Sequence, residues 1–289
     1  MIPTLNIVAW TAQVPWADLR QVEQDLIISR ALVEMFNDPL LKAELRFRGG
    51  TALNKLHFPQ PLRYSEDIDL VRTTAGPIGP ILDQVRAVLE PWLGRATFAQ
   101  SDVAPKLRFR TLAEDGSSPI RLKVEINTRE IEAFDAPQDI DLAIANPWFT
   151  GSAKISTFSR EELLATKLRA LLQRDKGRDL LDLAHALKVF PELNRKRIVE
   201  CLGLYLGRSG LAISRAEAEQ RMFAKLVAPR FVTDIRPLLA ADVAANLTTE
   251  AVRDAFISVF GKLITLLPGA AWAKTPEKIE SFGLALDGD

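Results

Sequence analysis

The sequence predicts an α+β protein, with a mixed sheet flanked by helices near residues 40–150 and a helical domain after it. Hydrophobic residues make up 47% of the 289 residues, which is enough for a substantial core. Before residue 130, short segments of alternating apolar and polar residues, typical of strands, lie among amphipathic helical segments. From Ser159 onward the apolar residues recur mainly at helical spacing.

The first predicted elements lead up to a pair of glycines. Residues 16–36 have the apolar periodicity of an amphipathic helix, and residues 39–46 predict a second, shorter helix. Phe47-Arg48 is then the end of a strand, and Gly49-Gly50 forms a turn. We expect a short helix over residues 51–56, directly after this turn.

The segment 63–72 is predicted to contain a strand whose two faces differ. Side chains alternate across a strand, so Ile68 and Leu70 point to one face and Asp67 and Asp69 to the other. The apolar pair anchors the strand in the core, which fixes the direction of both carboxylates.

The rest of the first half predicts one helix and one hairpin. Residues 76–94 have helical periodicity, and residues 106–110 and 120–126 alternate as strands do. Residues 115–118, Asp-Gly-Ser-Ser, are a plausible hairpin loop between these strands.

The C-terminal half is predicted to be helical. Pro147 and Gly151 interrupt the pattern before it, and Ser159 with Glu162 fits a capping box at the start of a helix. Further helices are predicted near residues 179–189, 195–206, 214–226 and 248–266. We therefore expect two domains, residues 1–155 and 156–289.

Composition excludes several classes of protein. The 37 basic and 37 acidic residues cancel, so any polyanion site must come from local clusters of basic residues. The single cysteine, Cys201, excludes an internal disulfide and fits a reducing compartment. No apolar run reaches the roughly 18 residues of a membrane span, and no signal peptide is recognisable. We expect a cytoplasmic protein that does not bind membranes; the chain also lacks a P-loop motif.

The aspartates and the glycines together suggest chemistry on a nucleoside triphosphate. Asp67 and Asp69 on one strand face can hold a hard cation such as Mg²⁺, which prefers oxygen ligands and leaves positions for phosphate. Gly49 and Gly50 let the backbone approach a polyphosphate, and the Thr51 hydroxyl is a further donor. The alternative for the aspartates is a solvent-exposed strand face, and either motif alone is weak evidence.

This layout resembles the polymerase-β-like nucleotidyltransferase superfold. The string Gly49-Gly50-Thr51-Ala52-Leu53, followed by residues 63–70 (Arg-Tyr-Ser-Glu-Asp-Ile-Asp-Leu), closely resembles the AbiEii/MenT family of nucleotidyltransferase toxins. A helical Lys167 and the run Arg178-Asp179-Leu180-Leu181-Asp182 resemble a second motif of that family. The resemblance covers roughly residues 20–190.

The resemblance implies the toxin half of a two-gene toxin–antitoxin pair. Such enzymes transfer nucleotides from a nucleoside triphosphate to an RNA, for some members the tRNA acceptor end, which blocks translation and growth. The implied cofactor is Mg²⁺, with Mn²⁺ as an option. The implied protein partner is an antitoxin encoded by a neighbouring gene, and the helical domain is implied to complete the active site.

Further residues receive candidate roles, each with an ordinary alternative. Glu125 is a third metal ligand or the base for the attacking hydroxyl; otherwise it is an exposed residue that pairs with Lys123 or Arg121. Lys167 neutralises triphosphate charge, or is solvated as most helical lysines are. Asp182 and Asp179 orient Lys167 or bind the nucleotide, or are a charge pair near a helix N-terminus.

Phosphate contacts and RNA contacts are also predicted. Arg63 is a candidate to bind phosphate, and Arg178 to pair with an aspartate or with phosphate. Ser65 is a candidate to donate a hydrogen bond to the triphosphate or to support Asp67. The ordinary alternative for Ser65 is a local hydrogen bond within a turn. Candidate RNA-binding clusters are Lys106, Arg108 and Arg110, with Arg121 and Lys123; Arg174, Lys176 and Arg178; and residues 195–197. A solvated surface is the alternative for each cluster.

Two other functions remain open on the sequence alone. The acceptor can be a protein or a small molecule, as in other transferases of this superfold. The chain can also be a binding protein whose catalytic site has decayed.

Overall fold

The computed structural model describes residues 2–100, 104–116, 119–228 and 235–285, and the chain forms two compact units. They comprise residues 1–159 and 160–289, so the division lies slightly after the predicted boundary at residue 155. Within the described residues, no helix is long and apolar enough to cross a membrane.

The N-terminal unit is built on one mixed sheet. Its described strands are β1 (Leu45–Arg48), β2 (Asp67–Arg72), β3 (Thr97–Ala99), β4 (Lys106–Leu112), β5 (Pro119–Asn127), β6 (Gln138–Asn146) and β7 (Phe149–Thr157). Their order across the sheet is β3-β4-β5-β2-β1-β7-β6. The pairs β2–β5 and β1–β7 are parallel and the other pairs are antiparallel, which confirms the predicted mixed sheet.

Helices flank this sheet as predicted. They are α1 (Thr4–Trp10), α2 (Leu19–Asn37), α3 (Pro39–Glu44), α4 (Gly49–Ala52) and α5 (Gly79–Leu93). The long helix α2 begins because the Asp18 carboxylate accepts a hydrogen bond from the Arg20 amide, and Asp38 caps α3 in the same way through the Leu41 amide. Helix α1 was not predicted, and the helix after the glycines begins at Gly49 rather than Thr51.

The hairpin β6–β7 was missed by the sequence analysis. Pro147 and Gly151 suggested a break, but Pro147 lies in the tight turn and Gly151 lies within β7, opposite Ile144. The turn is closed by the Asn146 side chain, whose carbonyl oxygen accepts from the Trp148 amide. The hairpin β4–β5 is confirmed; of its predicted loop, residues 117 and 118 lie outside the described residues.

The C-terminal unit is helical, as predicted. Its main described helices are α6 (Arg160–Gln173), α7 (Gly177–Val189), α8 (Arg195–Arg208), α9 (Arg215–Leu226), α10 (Ala241–Ala245), α11 (Thr249–Lys262) and α12 (Thr275–Ser281). Helix α6 begins directly after Ser159, whose hydroxyl hydrogen-bonds to Asp135, while the carboxylate of Glu162 accepts from the Tyr205 hydroxyl.

Candidate active site

The two aspartates of β2 lie on one face of a central strand. Ile68 and Leu70 are buried on the opposite face, with 0% and 1% of their surfaces exposed. As whole residues, Asp67 and Asp69 are partly exposed. Because β2 lies between β1 and β5, hydrogen bonds on both sides fix its backbone, and the carboxylates therefore project from a rigid support.

The glycine bend packs directly against Asp69. Gly49 has a φ of +84°, which favours glycine, and a Cβ added there would lie 2.7 Å from Oδ2 of Asp69. Arg48, the residue before the bend, is paired with Asp69 in the β1–β2 register. The start of α4 therefore packs against the Asp69 carboxylate, and a side chain at residue 49 would displace this carboxylate.

A second strand adds charges of both signs to this face. In the parallel register between β2 and β5, Lys123 lies opposite Asp67 and Glu125 lies opposite Asp69. The Lys123 ammonium is 2.9 Å from Oδ2 of Asp67 and 3.1 Å from Oε2 of Glu125. Lys106 of β4 approaches the same Glu125 oxygen at 3.3 Å. The pairing of Glu125 with Lys123, the ordinary alternative for this residue, is thus present in the structure.

Burial and neighbouring charge change the pKa values of two groups here. Burial raises the pKa of Asp69 above its ordinary value, and the negative charge of Asp67 raises it further. Burial acts to lower the pKa of Lys123, but Asp67 and Glu125 outweigh it and the net pKa is raised. The positive charges of Lys123 and Arg48 act to lower the pKa of Asp69, but they do not offset burial and Asp67.

Thr51 and Ser65 tie the glycine bend to the start of β2. The Thr51 hydroxyl lies 2.6 Å from the Asp67 carbonyl oxygen, so it donates its proton there. The Ser65 hydroxyl, also at 2.6 Å from Thr51 Oγ1, must then donate to Thr51. Both hydroxyl protons are used within the protein, so donation to a phosphate requires one of these bonds to change.

Asn54 is a residue of this region that the sequence analysis missed. Its side-chain nitrogen donates to the Gly50 carbonyl at 2.9 Å, and its side-chain oxygen accepts from the amides of Leu62 and Arg63. The residue therefore joins the glycine bend to the segment that leads into β2. In the sequence Asn54 stands beside Lys55 in a short predicted helix, and nothing there distinguishes it from an ordinary polar helix residue.

Arg63 is buried rather than exposed, with 3% of its surface accessible. One of its guanidinium nitrogens donates to the Tyr64 carbonyl at 3.2 Å. With Thr51 and Ser65 it lines a cavity of about 230 Å³, whose wall includes the ion pair between Lys55 and Asp25. A phosphate contact by Arg63 stays a prediction.

In the C-terminal unit, the predicted lysine and both predicted aspartates form one buried cluster. The Lys167 ammonium, whose side chain is only 8% exposed, lies 3.1 Å from Asp179 and 2.8 Å from Asp182. Arg174 also binds Asp179, at 2.8 and 3.0 Å, and this is the pairing that the sequence analysis considered for Arg178. The exposed-lysine alternative for Lys167 does not hold.

Neighbouring positive charge favours the ionised form of Asp179. Burial opposes ionisation of Asp179, but Lys167 and Arg174 together outweigh it and lower the pKa of this carboxyl. Arg178 lies in the first turn of α7, and in the described part of the chain it forms none of these ion pairs. The aspartates therefore hold Lys167 in one position.

The residues of β2 suit a divalent cation. Asp67 and Asp69 supply two oxygen ligands, and Mg²⁺ commonly takes one or two carboxylates and completes its shell with water and phosphate. Among the described residues, no three histidine, cysteine, aspartate or glutamate side chains are grouped so as to hold a metal ion. Glu125 as a third ligand therefore stays a prediction, which requires its two lysine partners to release it.

Comparison with known proteins gives a family and a fold. The family described as nucleotidyl transferase AbiEii toxin, of type IV toxin–antitoxin systems, matches residues 30–257. Curated protein sequences give no match. The solved structure of MenT4, a nucleotidyltransferase toxin from Mycobacterium tuberculosis, has a TM-score of 0.60 at 16% identity and covers 96% of this chain and 93% of its own.

A second solved structure has the same general fold. JHP933 from Helicobacter pylori has a TM-score of 0.51 at 16% identity, and the similarity covers 91% of this chain and 97% of that one. At such identities the likeness shows the fold alone. The predicted fold class and the predicted family resemblance are both confirmed.

Proposed function

The chain belongs to the AbiEii family of nucleotidyltransferase toxins, and we propose that it transfers a nucleotide from a nucleoside triphosphate to the 3′ end of a tRNA. One observation carries the proposal. Asp67 and Asp69 project from the same face of a buried central strand, and the Gly49 bend packs against Asp69. Family membership supports nucleotidyl transfer, while the RNA acceptor is our inference.

The proposed step is a displacement at phosphorus. The terminal hydroxyl of the RNA attacks the α-phosphate, a new oxygen–phosphorus bond forms, and the bond to the β-phosphate oxygen breaks. Pyrophosphate leaves, and the hydroxyl proton passes to Glu125 or to water. Asp67 and Asp69 would hold Mg²⁺ or Mn²⁺, which would supply positive charge for the phosphate oxygens.

The remaining candidate residues have roles in binding the triphosphate. Backbone groups at Gly49 and Gly50 come close to the phosphates, since neither residue has a side chain to prevent it. Lys167, positioned by Asp179 and Asp182, covers charge on the leaving pyrophosphate. The proposed nucleotide contacts also include Thr51, Arg63, Ser65 and Arg178.

Modification of the tRNA acceptor end explains how such an enzyme acts as a toxin. A tRNA with extra nucleotides at this end cannot be aminoacylated normally, so translation and growth stop. The partner that restrains the enzyme is an antitoxin protein, as the toxin–antitoxin family implies. The proposed substrates are cytoplasmic, and we expect the protein there too.

The test is incorporation of radiolabelled nucleotides by the purified protein. Each labelled triphosphate is incubated with total RNA or with a protein extract, with and without a metal chelator. We expect label in RNA of tRNA size, dependent on Mg²⁺ or Mn²⁺. Label in protein or in a small molecule would identify that molecule, in place of RNA, as the acceptor. The absence of labelled product from every fraction would contradict the proposal.

The matched control uses a second Asp-Ile-Asp run in the same unit. The double variant Asp67→Ala/Asp69→Ala should lose incorporation, whereas Asp139→Ala/Asp141→Ala, on the exposed strand β6, should retain it. Circular dichroism checks that both proteins are folded. Full activity in the Asp67→Ala/Asp69→Ala protein would rule out the assigned site.

A further inference from the structure

Three exposed arginines lie beside the carboxylates on the same face of the sheet. Arg108 and Arg110 of β4 and Arg121 of β5 are exposed, whereas the residues between them, such as Phe109 and Leu122, are buried. Residues directly opposite in neighbouring strands point to the same face. The register places Arg110 opposite Arg121 and Arg108 opposite Lys123, so these side chains form one continuous basic strip.

The strip contains like charges at cross-strand positions. Positive side chains directly opposite each other destabilise a sheet unless something neutralises them. In this region the lysines are neutralised, since Lys123 pairs with Asp67 and Lys106 pairs with Glu125. The arginines are different: among the described residues, no carboxylate forms an ion pair with Arg108, Arg110 or Arg121. Their charge is therefore available to an external anion.

The strip leads to the candidate catalytic carboxylates. Asp67, Lys123 and Arg108 are consecutive in one row across β2, β5 and β4. Neighbouring strands are about 4.8 Å apart, so the backbone of Arg108 lies about 10 Å from that of Asp67. An extended polyanion that ends at Asp67 and Asp69 therefore meets the arginines within a few residues of its end.

We propose that Arg108, Arg110 and Arg121 bind the backbone phosphates of the single-stranded RNA segment that precedes the acceptor hydroxyl. The inference rests on the proposed function, and it deepens that function by naming the surface that holds the acceptor. Arginine suits this role because its planar guanidinium binds phosphate with two parallel hydrogen bonds. Contacts to the backbone alone would hold RNA without reading its sequence.

The test compares two triple variants. Arg108→Gln/Arg110→Gln/Arg121→Gln removes the strip, while Lys42→Gln/Arg86→Gln/Lys154→Gln removes the same charge from other parts of the N-terminal unit. Binding of a fluorescent single-stranded RNA ending in a 3′ hydroxyl is measured by anisotropy over a range of salt concentrations. Binding of a fluorescent nucleoside triphosphate and the steady-state kinetics of RNA labelling are measured in parallel.

We expect the arginine variant to bind RNA at least about ten-fold more weakly than the control variant. Each lost phosphate contact lowers the salt slope by about 0.7 for single strands, so the slope should fall by about 2. The KM for RNA should rise, with kcat at saturating RNA and the affinity for the triphosphate unchanged. These results together would support the assignment.

Three results would overturn it. One is equal RNA affinity and salt slope in the two triple variants; another is a parallel loss of triphosphate affinity, which would assign the arginines to the nucleotide. A third is unchanged RNA binding with weaker binding of the purified antitoxin, which would assign the strip to that protein. Failure of the proposed function is distinguishable, because then the wild-type protein labels no RNA at all.

Discussion

The tetrapeptide Asp-Ile-Asp-Leu occurs twice in the N-terminal unit, in two very different places. The first copy, residues 67–70, lies in the central strand β2, and the second, residues 139–142, lies in the edge strand β6. Both copies form strands, and in both the aspartates alternate with the apolar residues. Local sequence therefore gives the same backbone conformation twice.

The surroundings of the two copies differ on both faces. Ile68 and Leu70 are buried, whereas Ile140 and Leu142 are only partly buried. In the first pair, Asp69 packs against the Gly49 bend, while Asp139 and Asp141 are exposed. An Asp-x-Asp motif becomes a candidate metal site where the apolar residues that alternate with the aspartates are buried in the core. It also needs a backbone segment beside the carboxylates that a phosphate can approach, such as the Gly49 bend.

The largest expected difference between the copies is in catalysis. Asp67→Ala/Asp69→Ala removes the charges that we propose hold the cation, so nucleotide incorporation should fall by at least about 1,000-fold. Asp139→Ala/Asp141→Ala should stay within about two-fold of wild type, because surface substitutions away from special features have small effects. Initial rates at saturating triphosphate measure both. Equal losses in the two variants would abolish the distinction between the strands.

The second difference is in stability. Ile68→Ala leaves a cavity in a closed core and should lower the free energy of unfolding by about 3–4 kcal/mol. Ile140→Ala, at a partly exposed site, should lower it by less than about 1 kcal/mol. Urea denaturation followed by fluorescence measures both values. A cost for Ile140→Ala as large as that for Ile68→Ala would show that the edge strand supports the core equally.

The third difference comes from the bend, which only the first copy has. Gly49→Ala places a methyl group against Asp69 and strains a positive φ, so activity should fall by about 100-fold through displacement of the carboxylate. Gly79→Ala is the control, because a Cβ at that position has nothing within 4 Å. Incorporation rates are compared on folded protein. Wild-type activity in Gly49→Ala would disprove the close packing at Asp69.

The smallest expected effect concerns the lysine opposite each aspartate pair. Lys123 forms an ion pair with Asp67, and Lys154 lies opposite Asp141 in the register of β6 and β7. Because a cation at Asp67 must compete with the Lys123 ammonium, Lys123→Met should strengthen Mn²⁺ binding about two- to five-fold, a range set by partly exposed ion pairs. Titration calorimetry without nucleotide measures this, and Lys154→Met should leave the affinity unchanged. Weaker binding in Lys123→Met would mean that the lysine supports the site instead.

The sequence indicated candidate residues better than their contacts. Asp67, Asp69, the glycine pair and the helical Lys167 were identifiable as candidates from spacing and family resemblance, and their roles stay predictions. The hydrogen bonds that the Thr51 and Ser65 hydroxyls donate within the protein could not be predicted from the sequence, because they join residues 14 and 16 positions apart. The pairing of Arg174 with Asp179, in place of Arg178, likewise depends on the path of the chain between α6 and α7.

What the sequence determined by itself is local: which segments are strands and helices, which faces are apolar, and where glycine permits a tight bend. Periodicity and backbone sterics act over a few residues, so they can be seen in the chain directly. Tertiary structure alone decided which Asp-Ile-Asp-Leu copy lies in the centre of the sheet, and it placed Lys123 beside Asp67 and the arginine strip beside both. Those relations depend on strand order and register, which set the burial and the charge around each side chain and hence what it can bind.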